Sequence, residues 1–379
     1  MPVHFIYIYP LLINMLVGVL IFVGPMRAAE NNAGLTIISL MITGYGLGYI
    51  LVSLFMGRIV KPHIAKYQIA GGTFFISLLC LLLGVVDNPI WMILIYSILP
   101  LGASLFFNAF QAYMRDVQKS NAGLLAGSVT SYLASLSFGF ALGPFISGWI
   151  REIASWNIAY FFAAAMALFV ALIALFFKPK NSATGKDPVD SSYAKKPDLS
   201  LSGWAGSFTG ILIISLFLTI FPKQSEILAL RPYIKGLVVF LLNVTQVVFV
   251  QVYRKHHNWI YKYSIAPFVH LLAVVGLLSL YYALNTTGLY VGAILMGMFS
   301  STVFFTAIFF SLSHPTRSVH YIAVNETAVG AGFLLGPQLV HLRPATADFK
   351  FAYLVALILV VFLILFQFIY IKNKTQSNG

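Results

Sequence analysis

Charge is what this chain has least of. Only nine per cent of its 379 residues are Asp, Glu, Lys or Arg, against roughly 25 per cent in a soluble domain. Acidic residues number ten and cysteine appears once. So thin a charge inventory excludes an ordinary water-facing surface, and a lone Cys80 cannot form a disulfide within the chain. Sitting inside an apolar run, Cys80 reads as a small packing residue. No zincin, nucleophile-elbow or phosphate-loop signature occurs. His256 and His257 are adjacent but have no acid or cysteine near them, so no metal site is read there, and nothing calls for a cofactor.

Hydrophobic sequence fills the space that charge leaves. Sixty per cent of the residues are apolar, and a bilayer core about 30 Å thick needs about 20 apolar residues per helix. Twelve runs qualify, at approximately 5–24, 34–57, 68–86, 90–112, 123–149, 157–177, 203–222, 234–253, 264–284, 288–312, 319–341 and 350–371. They are continuous rather than alternating, which favours helices over a transmembrane barrel. The first run lacks a basic leader and a small-residue cleavage site and is read as a retained helix. The expectation is an all-α membrane protein with the lipid bilayer as its solvent.

The net charge of +13 would suit nucleic acid, but the placement of the basic residues argues otherwise. With the N-terminus in the cytoplasm, sixteen of the 23 Lys and Arg residues fall in inside segments and seven in outside ones. By the positive-inside rule both termini are cytoplasmic, and the basic excess is a topology signal with no nucleic-acid partner implied. The longest polar interruption, residues 178–200, is rich in Lys, Ser, Asp and Pro and reads as a flexible cytoplasmic linker. It divides the runs six and six, giving bundles at 1–177 and 201–379.

The hexapeptide GFALGP at 139–144 returns as GFLLGP at 332–337, which lays the fifth run on the eleventh. Two parallel repeats about an axis along the membrane normal would write it twice. Gly127, Ser131, Ser135, Gly139, Gly143 and Ser147 recur every four residues, a small-residue stripe that lets two helix backbones approach in lipid. Ala328, Gly332 and Gly336 repeat it more briefly. Pro144 and Pro337 each remove a backbone donor, so a kink is expected at Pro144.

Twelve helices split six and six, a central linker and GFALGPFISG in the fifth helix resemble the major facilitator superfamily. Gly139, Gly143, Pro144 and Gly148 match a GxxxGPxxxG pattern close to its antiporter motif, with Ser147 where a glycine is usual; GASLFFNAFQAYMRD, residues 102–116, has the same look. The family's loop motif, GxxxDRxGRR, is here GRIVKPHIAK. Gly57, Arg58, Lys61 and Lys66 keep its basic character, but Lys61 replaces the acid and Pro62 the arginine, so a latch built on that carboxylate is in doubt. The resemblance implies alternating access around a midplane site, coupling to a proton or other ion gradient, and a tilt towards export.

Polar groups inside the runs mark the candidate site. A carboxylate at the centre of a membrane helix costs about 2.5–3.5 kcal/mol on insertion scales, and one lies well within a run: Glu326, beside Asn325 in YIAVNETAVG. A buried carboxyl can exchange a proton near neutral pH, so Glu326 is read either as a proton-coupling or cation-recognising acid or as a hydrogen-bonded acid that ties helices together. Ser104, Asn108, Gln111 and Arg115 share one face of the fourth helix. Asn14, Asn243 and Gln246 add amides, read as substrate-binding groups or as interhelical bonds worth about 1 kcal/mol each. His270 is read as a packing residue. No Lys or Arg occupies the middle of any run, so a buried anion would go unpaired and neutral or cationic organic solutes remain.

The leading reading is a proton-coupled exporter of such small molecules. A second is a coupled importer of a neutral solute such as a sugar or nucleoside, and a third a membrane-embedded enzyme or non-transporting sensor. Short loops and small size point to a bacterial inner membrane, and the protein is expected to be a monomer.

Overall fold

The computed structural model describes residues 7–59, 64–118, 125–176, 196–256, 258–314, 318–342, 344 and 346–376. Most of the expected 178–200 linker and Lys61 lie outside the described residues, as do the side chains of Arg58, Gln111 and Arg115 and the surroundings of Gly57. The described chain is helical almost throughout. Helices α1 (Ile8–Glu30), α2 (Leu35–Ile59), α3 (Ala65–Val85), α4 (Pro89–Ile98), α5 (Pro100–Gln118), α6 (Leu125–Ile153) and α7 (Trp156–Phe176) form the first group. After the linker come α8 (Ser200–Ile227), α9 (Pro232–Lys255), α10 (Leu271–Tyr282), α11 (Thr286–Ser313), α12 (Ser318–Leu335) and α13 (Phe351–Gln376).

Ten helical segments among the described residues are long and apolar enough to cross a membrane, with α4 and the first part of α5 counting as one. The two ends of α1 serve to name the two faces of the bundle. The lower face is where α1 starts and the upper face is where it ends.

Local chemistry explains where the expected runs and the helices differ. The run at 90–112 is broken at Leu99 because Pro100 has no N–H and crowds the carbonyl a turn earlier; α4 ends there and α5 begins at the proline. Pro89 opens α4 behind Asn88, whose side chain accepts from the Ile90 amide at 2.9 Å. The run at 264–284 starts as a 3₁₀ turn over Pro267–His270, which leaves α10 only 12 residues long. In the eleventh run α12 stops at Leu335 and a 3₁₀ turn follows over Pro337–His341. Pro144 behaves differently, lying inside a continuous 29-residue α6.

Glycine decides how closely the helices approach. A Cβ on Gly139 or Gly143 would lie 2.1 Å or 2.3 Å from the carbonyl oxygens of Leu11 or Met15, so α6 meets the backbone of α1 directly. On Gly332 or Gly336 it would lie 2.8 Å or 2.2 Å from those of Phe208 or Leu212, and α12 meets α8 in the same manner. Both hexapeptides thus perform one packing task, each against the first helix of its own group. A second set of close contacts runs between the groups. A Cβ on Gly148 would come within 2.5 Å of the Pro232 carbonyl oxygen and one on Gly236 within 2.5 Å of that of Pro144, which seats α9 on α6. Gly46 and Gly330 seat α2 on α12 in the same way, against Leu334 and Ile50.

Candidate functional site

Helices from both groups line a central cavity. Its position follows from the glycine contacts. The α2–α12 and α6–α9 seams each contribute to its wall, and α1, α5, α8 and α11 supply the remaining lining residues. The walls are mostly aromatic and aliphatic. Among the described lining residues there is no Lys, Arg or His, and one carboxylate, Glu326.

Glu326 is 6 % exposed and receives a short hydrogen bond from the Tyr49 hydroxyl on α2. Gly46 stands about one turn from Tyr49 and Gly330 about one turn from Glu326, so the glycine seam brings the phenol to the acid. Tyr45, a turn further along α2, stacks on Tyr49 at 6.1 Å between ring centroids and meets Phe333 edge-on at 5.3 Å. The carboxylate therefore sits beside a small aromatic wall built from α2 and α12.

Of the residues read from sequence as binding groups, Asn14, Asn243, Gln246, Asn325 and Glu326 line this cavity. Asn14 Nδ2 donates to the Leu136 carbonyl at 2.8 Å, linking α1 to α6. Asn243 Nδ2 donates to the Val239 carbonyl at 2.8 Å within its own helix. Gln246 Oε1 accepts from the Ser300 hydroxyl at 3.1 Å. Asn325 Oδ1 is buried without a partner. Asn108 is placed elsewhere: its amide donates to the carbonyl and the hydroxyl of Ser104, which in turn meets Ser53 of α2 at 3.0 Å. Those contacts tie α5 to α2 and keep Asn108 out of the cavity lining.

Sequence reasoning passed over the aromatic lining and two buried serines, Ser137 on α6 and Ser207 on α8, whose hydroxyls have no partner. One signal was present. Tyr45 and Tyr49 stand four apart in GYGLGYI, interleaved with the glycines that bring their helix close to another. His270 is buried with Nε2 at 2.7 Å from Gln367 Oε1 and the ring edge-on to Phe299, but its Nδ1 has no partner, so only one of its two nitrogens is satisfied. Cys80 is wholly buried, and Lys66 lies over the Tyr67 ring at 4.7 Å.

Between the cavity and the upper face, polar contacts join the two groups in layers. Gln338 Nε2 donates to Thr43 Oγ1 at 2.6 Å, and Ser39 Oγ meets His341 Nε2 at 3.1 Å. At the upper rim Glu30 lies between Arg151 at 3.0 Å and Lys235 at 3.6 Å. Lys235 also pairs with Glu226, and Arg231 with Glu152. Lys235 is 2 % exposed, so its charge relies on those two carboxylates in place of water.

Comparison with known proteins agrees with this geometry. The family model described as Major Facilitator Superfamily matches residues 6–337. Two proteins of Bacillus subtilis (strain 168) are similar over part of the chain. Multidrug resistance protein 1 is 28% identical over 160 residues, 42% of this chain and 40% of its own length. Multidrug efflux protein YfmO is 30% identical over 153 residues, 40% of this chain and 37% of its own. The chain thus spans about two fifths of the length of the curated relatives it matches. A crystal structure of the nucleoside transporter NupG superposes with a TM-score of 0.64 over 97% of this chain and 98% of that one, at 13% identity, a likeness of fold. The chain belongs to the Major Facilitator Superfamily, and its long apolar helices are those of a multi-pass membrane protein.

Proposed function

We propose that the chain is a secondary active transporter that exports small neutral or cationic organic molecules by alternating access, with proton coupling through Glu326. Its twelve spans would form two six-helix repeats, residues 1–177 and 201–379, joined by the 178–200 linker. Both termini would lie in the cytoplasm and the protein, a monomer, in a bacterial inner membrane. The observation that carries this reading is the central cavity itself, walled by aromatics and holding one carboxylate and no basic side chain among its described residues. Such a site offers apolar contact and one negative charge, which suits a cation or a neutral body and leaves an anion without a partner.

Coupling follows from one carboxylate serving two ligands. A cation and a proton compete for Glu326, so binding of either at one side of the membrane displaces the other. Because Tyr49 reaches Glu326 from the other helix group, occupancy of the acid also bears on how firmly α2 holds α12. The names of the two Bacillus relatives favour export of drug-like compounds, and the fifth-helix motif leans the same way.

Proteoliposomes with an imposed pH gradient test this reading. A panel of neutral and cationic compounds should drive proton movement in the wild type and not in Glu326→Gln. The sign of the flux separates export from import. Equal responses in the two proteins would make Glu326 a structural acid and remove the coupling claim.

A further inference from the structure

We infer that the central cavity selects protonated amines bearing at least one N–H over quaternary ammonium compounds of the same shape. This rests on the proposed use of the cavity for neutral or cationic organic solutes and specifies the chemistry of the preferred one. The starting point is a set of buried polar atoms without hydrogen-bond partners in residues that line the cavity. Asn325, next to Glu326 and 3 % exposed, lines the cavity, and its Oδ1 is buried without a partner. Ser137 Oγ and Ser207 Oγ, in residues 3 % and 1 % exposed, are buried in its wall and equally unpartnered. These three residues come from α6, α8 and α12, so the unmet capacity converges on one volume from three helices.

Several of the donors in the same space are already committed. Asn14 and Asn243 direct Nδ2 to the main-chain carbonyls of Leu136 and Val239, and the Tyr49 hydroxyl is given to Glu326. Gln246 is the exception, since its oxygen is the atom occupied by Ser300. A buried acceptor left without a donor keeps its full desolvation penalty until a ligand supplies a proton. An R–NH₃⁺ or R₂NH₂⁺ group brings charge for Glu326 and N–H donors for Asn325 Oδ1 and the serines together. A quaternary ammonium brings the charge and enjoys the tyrosine faces, but it has no N–H, so Asn325 Oδ1 stays orphaned. A neutral alcohol donates one proton and forgoes the ionic attraction. The apolar body of each ligand would lie against Tyr45 and Phe333, which already pack together.

A matched ligand series on the full-length protein in lipid nanodiscs tests the selection by titration calorimetry at neutral pH. The probes are 2-naphthylmethylamine, its N,N,N-trimethyl derivative and 2-naphthylmethanol. The primary amine should bind about tenfold or more tightly than the trimethyl compound, the size expected for a charge-assisted hydrogen bond. In Asn325→Leu that ratio should fall towards one, chiefly by weakening the amine. Ser137→Ala with Ser207→Ala gives a second variant, for use if Asn325→Leu does not fold, and should narrow the ratio as well. Equal or tighter binding of the trimethyl compound overturns the inference and leaves a cation site standing, as does a ratio that survives in folded variants. Binding of the alcohol alone overturns it and leaves a neutral-solute site; no binding by any of the three removes both the inference and the reading beneath it.

Discussion

Tyr49 on α2 and Glu326 on α12 are joined by a short phenol–carboxylate hydrogen bond inside the central cavity. They are 277 residues apart in the chain and stand in different helix groups. Gly46 and Gly330 make the meeting feasible, because any side chain at either position would push the two helices apart. The bond is at once part of the cavity wall and part of the seam between groups.

Tyr49→Phe removes the hydroxyl and keeps the ring that stacks on Tyr45. A hydrogen bond to a charged group contributes about 1.5–3 kcal/mol, so proton-coupled flux should fall by about tenfold or more while the protein still folds. Counterflow, which needs no net proton movement, should decline less. Unchanged net flux in proteoliposomes would separate the phenol from coupling.

The small-residue stripe on α6 gives a prediction about packing. Gly143→Ala places a methyl group against main-chain atoms of Met15 and Val19, which cannot yield as a flexible side chain would. Overpacking of this kind costs about 1–3 kcal/mol and should lower the midpoint of thermal unfolding measured by fluorescence-detected size exclusion. Gly71→Ala is the internal control, since the added methyl meets nothing within 4 Å beyond its own helix, and should not lower that midpoint.

At the upper rim, Lys235 is the buried member of a cluster with Glu30 and Glu226. Replacing Glu30 with Gln leaves that ammonium with a single carboxylate, whereas Glu30→Gln with Lys235→Met removes both charges. The double variant should be more stable than Glu30→Gln alone, because an unpaired buried charge costs more than an apolar substitute. Spin labels at Asn31→Cys and Ile227→Cys report the gap between α1 and α8, and in Glu30→Gln their distance distribution should gain a longer component. An unchanged distribution would mean that the cluster does not hold the upper face closed.

Asp198, just ahead of α8 at the lower face, accepts from the Ser200 amide at 3.0 Å and from the Tyr321 hydroxyl at 3.2 Å. Its partial burial opposes ionisation, but the hydrogen bonds from Ser200 and Tyr321 and the nearby His314 outweigh it and hold the carboxyl below the ordinary aspartate range. A carboxyl depressed on folding stabilises the protein above its unfolded value, about 3.9, and that contribution is lost as pH falls through the folded value. Acid unfolding should therefore steepen below about pH 4 in the wild type and be shallower in Asp198→Asn, as followed by tryptophan fluorescence.

How much of this could be read from the chain differs by level. Hydrophobic runs had to be helices, because a backbone in hydrocarbon can satisfy its own hydrogen bonds only within a helix or a closed barrel. The repeated hexapeptide pointed to a duplicated packing contact, and the structure has it twice, on α1 and on α8. A lone intramembrane acid singled out Glu326, since the cost of burying it demands a reason. Chain breaks were less legible. Pro100 divides an apolar run and Pro144 does not, although both are prolines within hydrophobic sequence.

Composition and hydrophobic period act locally, and they were enough to give the membrane setting, the helical class and the short roster of polar residues from which a site must be drawn. Which of that roster share a cavity depends on how the helices pack. Packing placed Asn14, Asn243, Gln246 and Asn325 around Glu326, turned Asn108 aside to Ser104, and supplied Tyr49 from 277 positions away. The reason is geometric: a helix fixes which residues share its face, but which faces meet depends on where glycines let two backbones touch, and that is a property of pairs of helices.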